Sequence, residues 1–201
     1  MNTGMKSSAR GLLLPILLAL GACNMAISDQ PMFSDAQRSS VQLRDGYWVM
    51  DDRECRFDAA QRAEAWPECA DWAVIVGNRI VGERVKDLGG VDPALFIADG
   101  KPLILQMHSK PQKGEESFYH FAAIEPAATD ADGRVGAFAL WIVKCGVEER
   151  KPRGSAKVKP YPGFNAECRP VSVEALRAAA IASRPQSDEL NRLKWVRAVA
   201  R

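Results

Sequence analysis

Histidine occurs only twice in 201 residues, at His108 and His120, and neither sits in a Gly-x-Ser-x-Gly, a His-Glu-x-x-His, a dinucleotide fingerprint or a glycine-rich phosphate loop. Nucleophile-and-base catalysis therefore has two imidazoles to draw on, and cofactor chemistry has no motif to occupy. There is no Cys-x-x-Cys pair, so a structural zinc site lacks its usual spacing and no metal or cofactor is implied. Long apolar runs are also missing: residues 11–20 are too few to cross a bilayer as a helix. Helix-length periodicity is absent between Gly46 and Lys144, which argues against a core of alternating strands and helices. With 47% hydrophobic and 26% charged residues, the length and composition fit one globular domain with appendages.

The first appendage is N-terminal. Lys6 and Arg10 precede the apolar run, which leads into small residues, the anatomy of a secretory signal. Leu20-Gly21-Ala22-Cys23 resembles a bacterial lipobox. The resemblance implies removal of residues 1–22, a mature chain beginning at lipidated Cys23, and attachment to the cell envelope by more than one acyl chain, which is what stable anchoring takes. Asn24 in the next position, by the sorting rule of that family, points to the periplasmic face of the outer membrane. Residues 24–44 are polar and aperiodic, so 23–44 is expected to be a flexible tether with a reach of roughly 25 Å, and 45–201 the folded domain.

Loss of residues 1–22 removes two bases and leaves 25 basic against 25 acidic residues. The balance is uneven along the chain: 12 basic and 19 acidic residues from 23 to 143, then 13 and 6 from 144 to 201. The two parts can attract each other, or the basic part can meet an anionic surface; the first is the default. With Cys23 assigned to lipid, Cys55, Cys69, Cys145 and Cys168 remain, an even number suited to an oxidising compartment. Three connectivities are open. Pairing of neighbours, Cys55 with Cys69 and Cys145 with Cys168, is expected because each pair brackets a loop-like stretch.

Strand signals dominate the middle of the chain. Gly46 to Met50 is rich in β-favouring residues, and Trp72–Val76 and Arg79–Val81 flank Gly77-Asn78, a two-residue hairpin turn. Leu95–Ala98 and Leu103–Met107 flank Asp99 to Pro102, and Phe118–Ile124 faces Val135–Lys144 across a loop with Asp130, Asp132 and Gly133. Consecutive hairpins predict an antiparallel meander closing as a small barrel or sandwich. From about residue 172 the pattern predicts two helices packed on it. Ser172 caps Val173 to about Ala182, and Ser187 caps a second helix to about Ala200 with Leu190, Leu193, Val196 and Ala200 as its apolar stripe. Lys194, Arg197 and Arg201 would form a neighbouring solvated face.

Candidate chemistry is sparse. His120 falls mid-strand, where a hydrogen-bonded core histidine is the simpler reading, and His108 falls at a strand end; a hydrolase would need one of them beside a nucleophile. Asp51, Asp52, Glu54 and Asp58 could offer oxygen ligands, but strand-end acids usually face water. The Asp130 loop lacks the glutamate a calcium loop needs, since that position is Ala139. The cysteine-bracketed stretches hold the candidate binding residues. Trp66, with Trp72 just beyond, is either an exposed anchor or the packing partner of a disulfide. Arg150, Lys151, Arg153, Lys157 and Lys159, interleaved with Tyr161 and Phe164, could grip an anionic lipid or glycan, whereas nucleic acid is not expected as a partner of an exported protein; a soluble loop is the alternative.

Gly46-x-Trp48, followed by hairpins and a terminal helix, is similar to lipocalins and other calycin barrels, which implies a small apolar ligand carrier or an enzyme inhibitor. No binding residues carry over from three positions. The sequence leads first to a noncatalytic envelope lipoprotein that binds a protein, glycan or lipid, next to the calycin alternative, and last to a hydrolase using His108 or His120.

Overall fold

The computed structural model describes residues 24–51, 54–82, 91–109, 116–149, 157–187 and 189–199. Its strands are β1 (Ile27–Ser28), β2 (Gly46–Met50), β3 (Trp72–Val76), β4 (Arg79–Val81), β5 (Phe96–Ala98), β6 (Leu103–Ser109), β7 (Phe118–Thr129), β8 (Val135–Ile142), β9 (Gly146–Glu149), β10 (Lys157–Pro160) and β11 (Asn191–Arg197). Among the described residues one α-helix, α1 (Val173–Ala182), lies between β10 and β11.

Local chemistry accounts for the hairpins. Gly77 and Asn78 both adopt positive φ, +57° and +54°, the type I′ geometry that joins twisted antiparallel strands in two residues. In the β7–β8 loop the Asp130 carboxylate accepts the backbone N–H groups of Asp132 and Arg134 at 3.0 and 2.9 Å, so its acids make a turn. The Ser172 hydroxyl accepts from the Ala175 N–H and caps α1, whose Leu176, Ala179 and Ala180 share one buried face.

The strands join in the order β4-β3-β2-β11-β8-β7-β6-β5, an antiparallel sheet curled into a half-barrel, with β1 added beside β7. Across its open side the Ile80 N–H donates to the Pro93 carbonyl and the Leu95 N–H to the Asn78 carbonyl, both at 2.8 Å. Period-two alternation sorts the side chains. Leu103, Leu105, Ala122, Ile124 and Phe138 point inward to meet Trp48, Ile75 and Ile97, while Ile104, Phe121, Ala123, Ala139 and Trp141 point outward to meet α1. A second outer cluster, Val49, Ala63, Trp66 and Ala70, lies where the 55–69 segment covers the other half of the sheet.

Two expectations are corrected. The C-terminal segment is not a second helix: residues 191–197 form β11, paired with β2 through Leu193↔Met50 and with β8 through Leu193↔Phe138. Its apolar residues fit both a helical stripe and an alternating strand, and the vacant backbone edges of β2 and β8 decide the outcome. Residues 24–44 are not a free tether either. Ala26, Phe33 and Leu43 are buried, β1 pairs with β7, and the Gln106 carboxamide oxygen accepts the N–H groups of Met32 and Phe33. The segment passes from the outer core, which Ala26 and Phe33 join, to the inner one, which Leu43 joins, and its widely spaced anchors have no secondary-structure period. The cysteine-bracketed stretch from 145 to 168 holds a short hairpin, β9 with β10, where a loop was expected.

Leu176 has no exposed surface and Ile181, on the same helix, is 60% exposed. Leu176→Ala should lower unfolding free energy by about 2 to 5 kcal/mol and Ile181→Ala by less than about 0.5 kcal/mol. Urea denaturation followed by tryptophan fluorescence checks both, and similar losses at the two positions would contradict the packing of α1.

Candidate functional site

The cysteines pair as Cys55–Cys69 and Cys145–Cys168, with Cα separations of 5.6 and 5.2 Å. The first bridge closes a lid over β2 and β3. Trp66 is only 7% exposed: its ring lies 4.8 Å from Phe57, 5.8 Å from Tyr47 and 6.4 Å from Trp72, and its indole N–H donates to the Asp58 carbonyl. Arg197 stacks its guanidinium over Tyr47 and Trp66, 4.9 and 5.5 Å from their centroids. Trp66 is thus the packing partner of a disulfide lid and not an exposed anchor, and the half-buried Trp72 belongs to the same cluster.

The two histidines are neighbours in the sheet but occupy different environments. His108 stacks on Tyr119 with centroids 4.6 Å apart. His120 lies opposite Met107 on β6 and Ile27 on β1, is 6% exposed, and has Nδ1 3.3 Å from the Ser109 hydroxyl. Burial, followed by the nearby His108, lowers its pKa to about 4, so the ring is neutral at physiological pH. A serine–imidazole pair is present, but in a packed interior where it satisfies a buried polar ring.

Among the described residues no group of three His, Cys, Asp or Glu side chains is placed to hold a metal ion. Asp51 pairs with Lys194, and the Asp58 carboxylate accepts the Ala60 N–H; Asp52 lies outside the described residues. A cleft of about 320 Å³ lies where residues 77–79 meet residues 94–97, with Arg38 and Arg79 in its lining. Arg38 is held by Asp35 at 2.7 Å and lies over the Phe96 ring, and Arg79 faces Asp92 at 3.6 Å, so both guanidinium groups have a carboxylate partner.

The second bridge marks the other end of the domain. Tyr161 is half-buried against the outer core, and its hydroxyl donates to the Ala182 carbonyl at 3.4 Å. Lys159 is exposed on β10, directly opposite Val147 of β9. Lys157 pairs through its backbone with Glu149. Arg150, Lys151, Arg153 and the Lys157 side chain lie outside the described residues, as does Cys23.

The structure adds a residue that sequence reasoning assigned only to sorting. Asn24 is 4% exposed. Its carboxamide N–H donates to the Gly146 carbonyl at 3.1 Å while its oxygen accepts the Gly146 N–H at 3.0 Å, and its own carbonyl accepts the Cys145 N–H. An asparagine side chain thereby pairs with β9 as a strand backbone would. The partners are 122 positions apart, so no local signal announces this. The residue following Cys23 is clasped to the start of β9, beside the exposed Lys144 and Val147.

No known protein family matches the chain, and no curated protein and no solved structure is similar to it.

The His120 environment has a pH consequence. Between pH 6.5 and about 4 the unfolded chain binds a proton that the native imidazole refuses, so stability falls as pH falls through this window, by up to about 3 kcal/mol at ~1.4 kcal/mol per unit. Urea denaturation at pH 7 and pH 4.5 should show a smaller decline for His120→Gln than for the parent protein; equal declines would contradict the assignment.

Proposed function

We propose that the protein is a lipid-anchored lipoprotein of the bacterial envelope, held at the periplasmic face of the outer membrane, that acts by noncatalytic binding to an envelope component. The observation that carries this reading is the conjunction of Leu20-Gly21-Ala22-Cys23 with a fold that is already fixed at Asn24, immediately after the acylation position. The two disulfides fit an oxidising compartment. Among the described residues no helix is long and apolar enough to cross a membrane, so attachment in this reading falls to the acyl chains.

Binding at the surface is favoured because the concave side of the sheet is filled by Trp48, Ile97, Ile124, Val135 and Phe138, all buried. Such packing also supports the calycin-like alternative in its enzyme-inhibitor form over its carrier form, since an apolar ligand would have to displace that core. A hydrolase is supported least: His120 is buried and His108 is stacked on a tyrosine. Candidate partners are a protein, a glycan or an anionic lipid.

Cys23→Ala tests the anchor. Cells expressing it should lose labelled fatty-acid incorporation into the protein and its fractionation with membranes, while retaining the folded domain. Persistence of both signals would overturn the proposal.

A further inference from the structure

We infer that the domain sits directly on the membrane, with the end formed by β9 and β10, and its exposed Lys144, Val147 and Lys159, turned toward a headgroup layer containing anionic phospholipid. This rests on the lipidation of Cys23 proposed above. It adds the position and orientation of the folded body, which lipidation alone leaves free.

Chain length between the acylation position and the folded body limits how far the domain can move. A tether of some twenty residues would let the domain tumble roughly 25 Å from its anchor. No such tether exists, because Asn24 is already held by hydrogen bonds to Cys145 and Gly146, and consecutive Cα atoms are only about 3.8 Å apart. An acyl group on Cys23 therefore attaches beside the first residue of β9. Lys144 pairs with Met25, Val147 is one residue past Gly146, and Lys159 lies across from Val147. These side chains are brought close to the headgroups whenever the anchor is inserted, at distances comparable with the physiological Debye length of about 8 Å.

The surface suits that position. Val147 is 54% exposed, a β-branched apolar side chain that the described residues leave open to solvent. From Lys144 to Lys159 the sequence carries six basic residues against Glu148 and Glu149, a composition that favours an anionic lipid surface over a neutral one. A stretch of sequence rich in bases near an acylated residue combines the two kinds of signal that together give firm membrane attachment.

The opposite pole provides the control. Asp132 is exposed in the β7–β8 turn, and at ~3.3 Å per residue the length of β8 places it roughly 30 Å from Lys144. The processed full-length protein carrying V147C or D132C, each labelled with nitrobenzoxadiazole, is reconstituted in phosphatidylethanolamine–phosphatidylglycerol vesicles that contain a headgroup spin-labelled lipid. The label at 147 should lose its fluorescence to the spin label and the label at 132 should keep it. Inserting about twenty Gly and Ser residues between Cys23 and Asn24, a reach of roughly 25 Å, should reduce the difference while vesicle binding persists. Equal quenching at 147 and 132 in a protein that carries fatty acid would overturn the seating and leave the anchor intact. Absence of fatty acid on Cys23 would overturn both.

Discussion

The insertion of β11 between β2 and β8 is the constraint on which the rest of the fold depends. Without it the sheet falls into two pieces, β4-β3-β2 and β8-β7-β6-β5, each with an unpaired edge. β11 supplies ladder partners to both edges and aligns the two inner faces so that Leu193 and Trp195 join the core containing Trp48 and Phe138. Its passage also dictates local sequence. Gly46 has φ +145°, and a Cβ there would lie 2.1 Å from the Arg197 carbonyl oxygen, so only glycine admits the last strand. Trp48 then faces Trp195 across the pair, with the Trp195 indole N–H donating to Asp45 and the Arg44 guanidinium 3.5 Å above the Trp195 ring. The Gly46-x-Trp48 pattern thus has a physical reason within this chain, independent of any family.

Around that sheet the outer face is covered in two separate ways. On one half, α1 buries Leu176, Ala179 and Ala180 against β6, β7 and β8, and the Trp141 indole N–H donates to the Ala180 carbonyl at the end of the helix. On the other, the 55–69 lid brings Trp66 and Ala63 onto Val49 and is closed by a disulfide. The second disulfide joins the end of β8 to the segment whose Cys168 carbonyl accepts the Ile27 N–H, tying the N-terminal segment into the same junction. Burial of apolar surface drives both covers, and the bridges limit the unfolded chain's freedom to lose them.

Features encoded by neighbouring residues were legible in the sequence. Gly77-Asn78 specifies its turn through two positive φ angles, Ser172 specifies the start of α1, and alternation in β6 through β8 separates inner from outer side chains. Features set by distant partners were not. Leu190, Leu193 and Val196 fall three apart and read as a helical stripe, whereas in the strand Leu193 and Trp195 share the inner face and Val196 joins the outer cluster, a choice made by two vacant edges built from residues 46–50 and 135–142. Phe33 and Leu43 are ten positions apart and fill unrelated gaps, so a docked segment looks like a polar tether. Asn24 takes its structural role from Gly146, so the folded body begins at Asn24 and not after a flexible segment. Of the basic binding candidates, Lys159 lies beside this junction, whereas Trp66 is absorbed by packing.

Removal of β11 is the most direct test of this account. A soluble chain of residues 24–187 retains every other strand and α1 but leaves β2 and β8 without their shared partner. Near-ultraviolet circular dichroism during urea titration should show no native tryptophan signal and no cooperative transition, in contrast to residues 24–201. A truncated chain that unfolds cooperatively at the same urea midpoint would show that the two halves of the sheet stand without β11, contradicting its role.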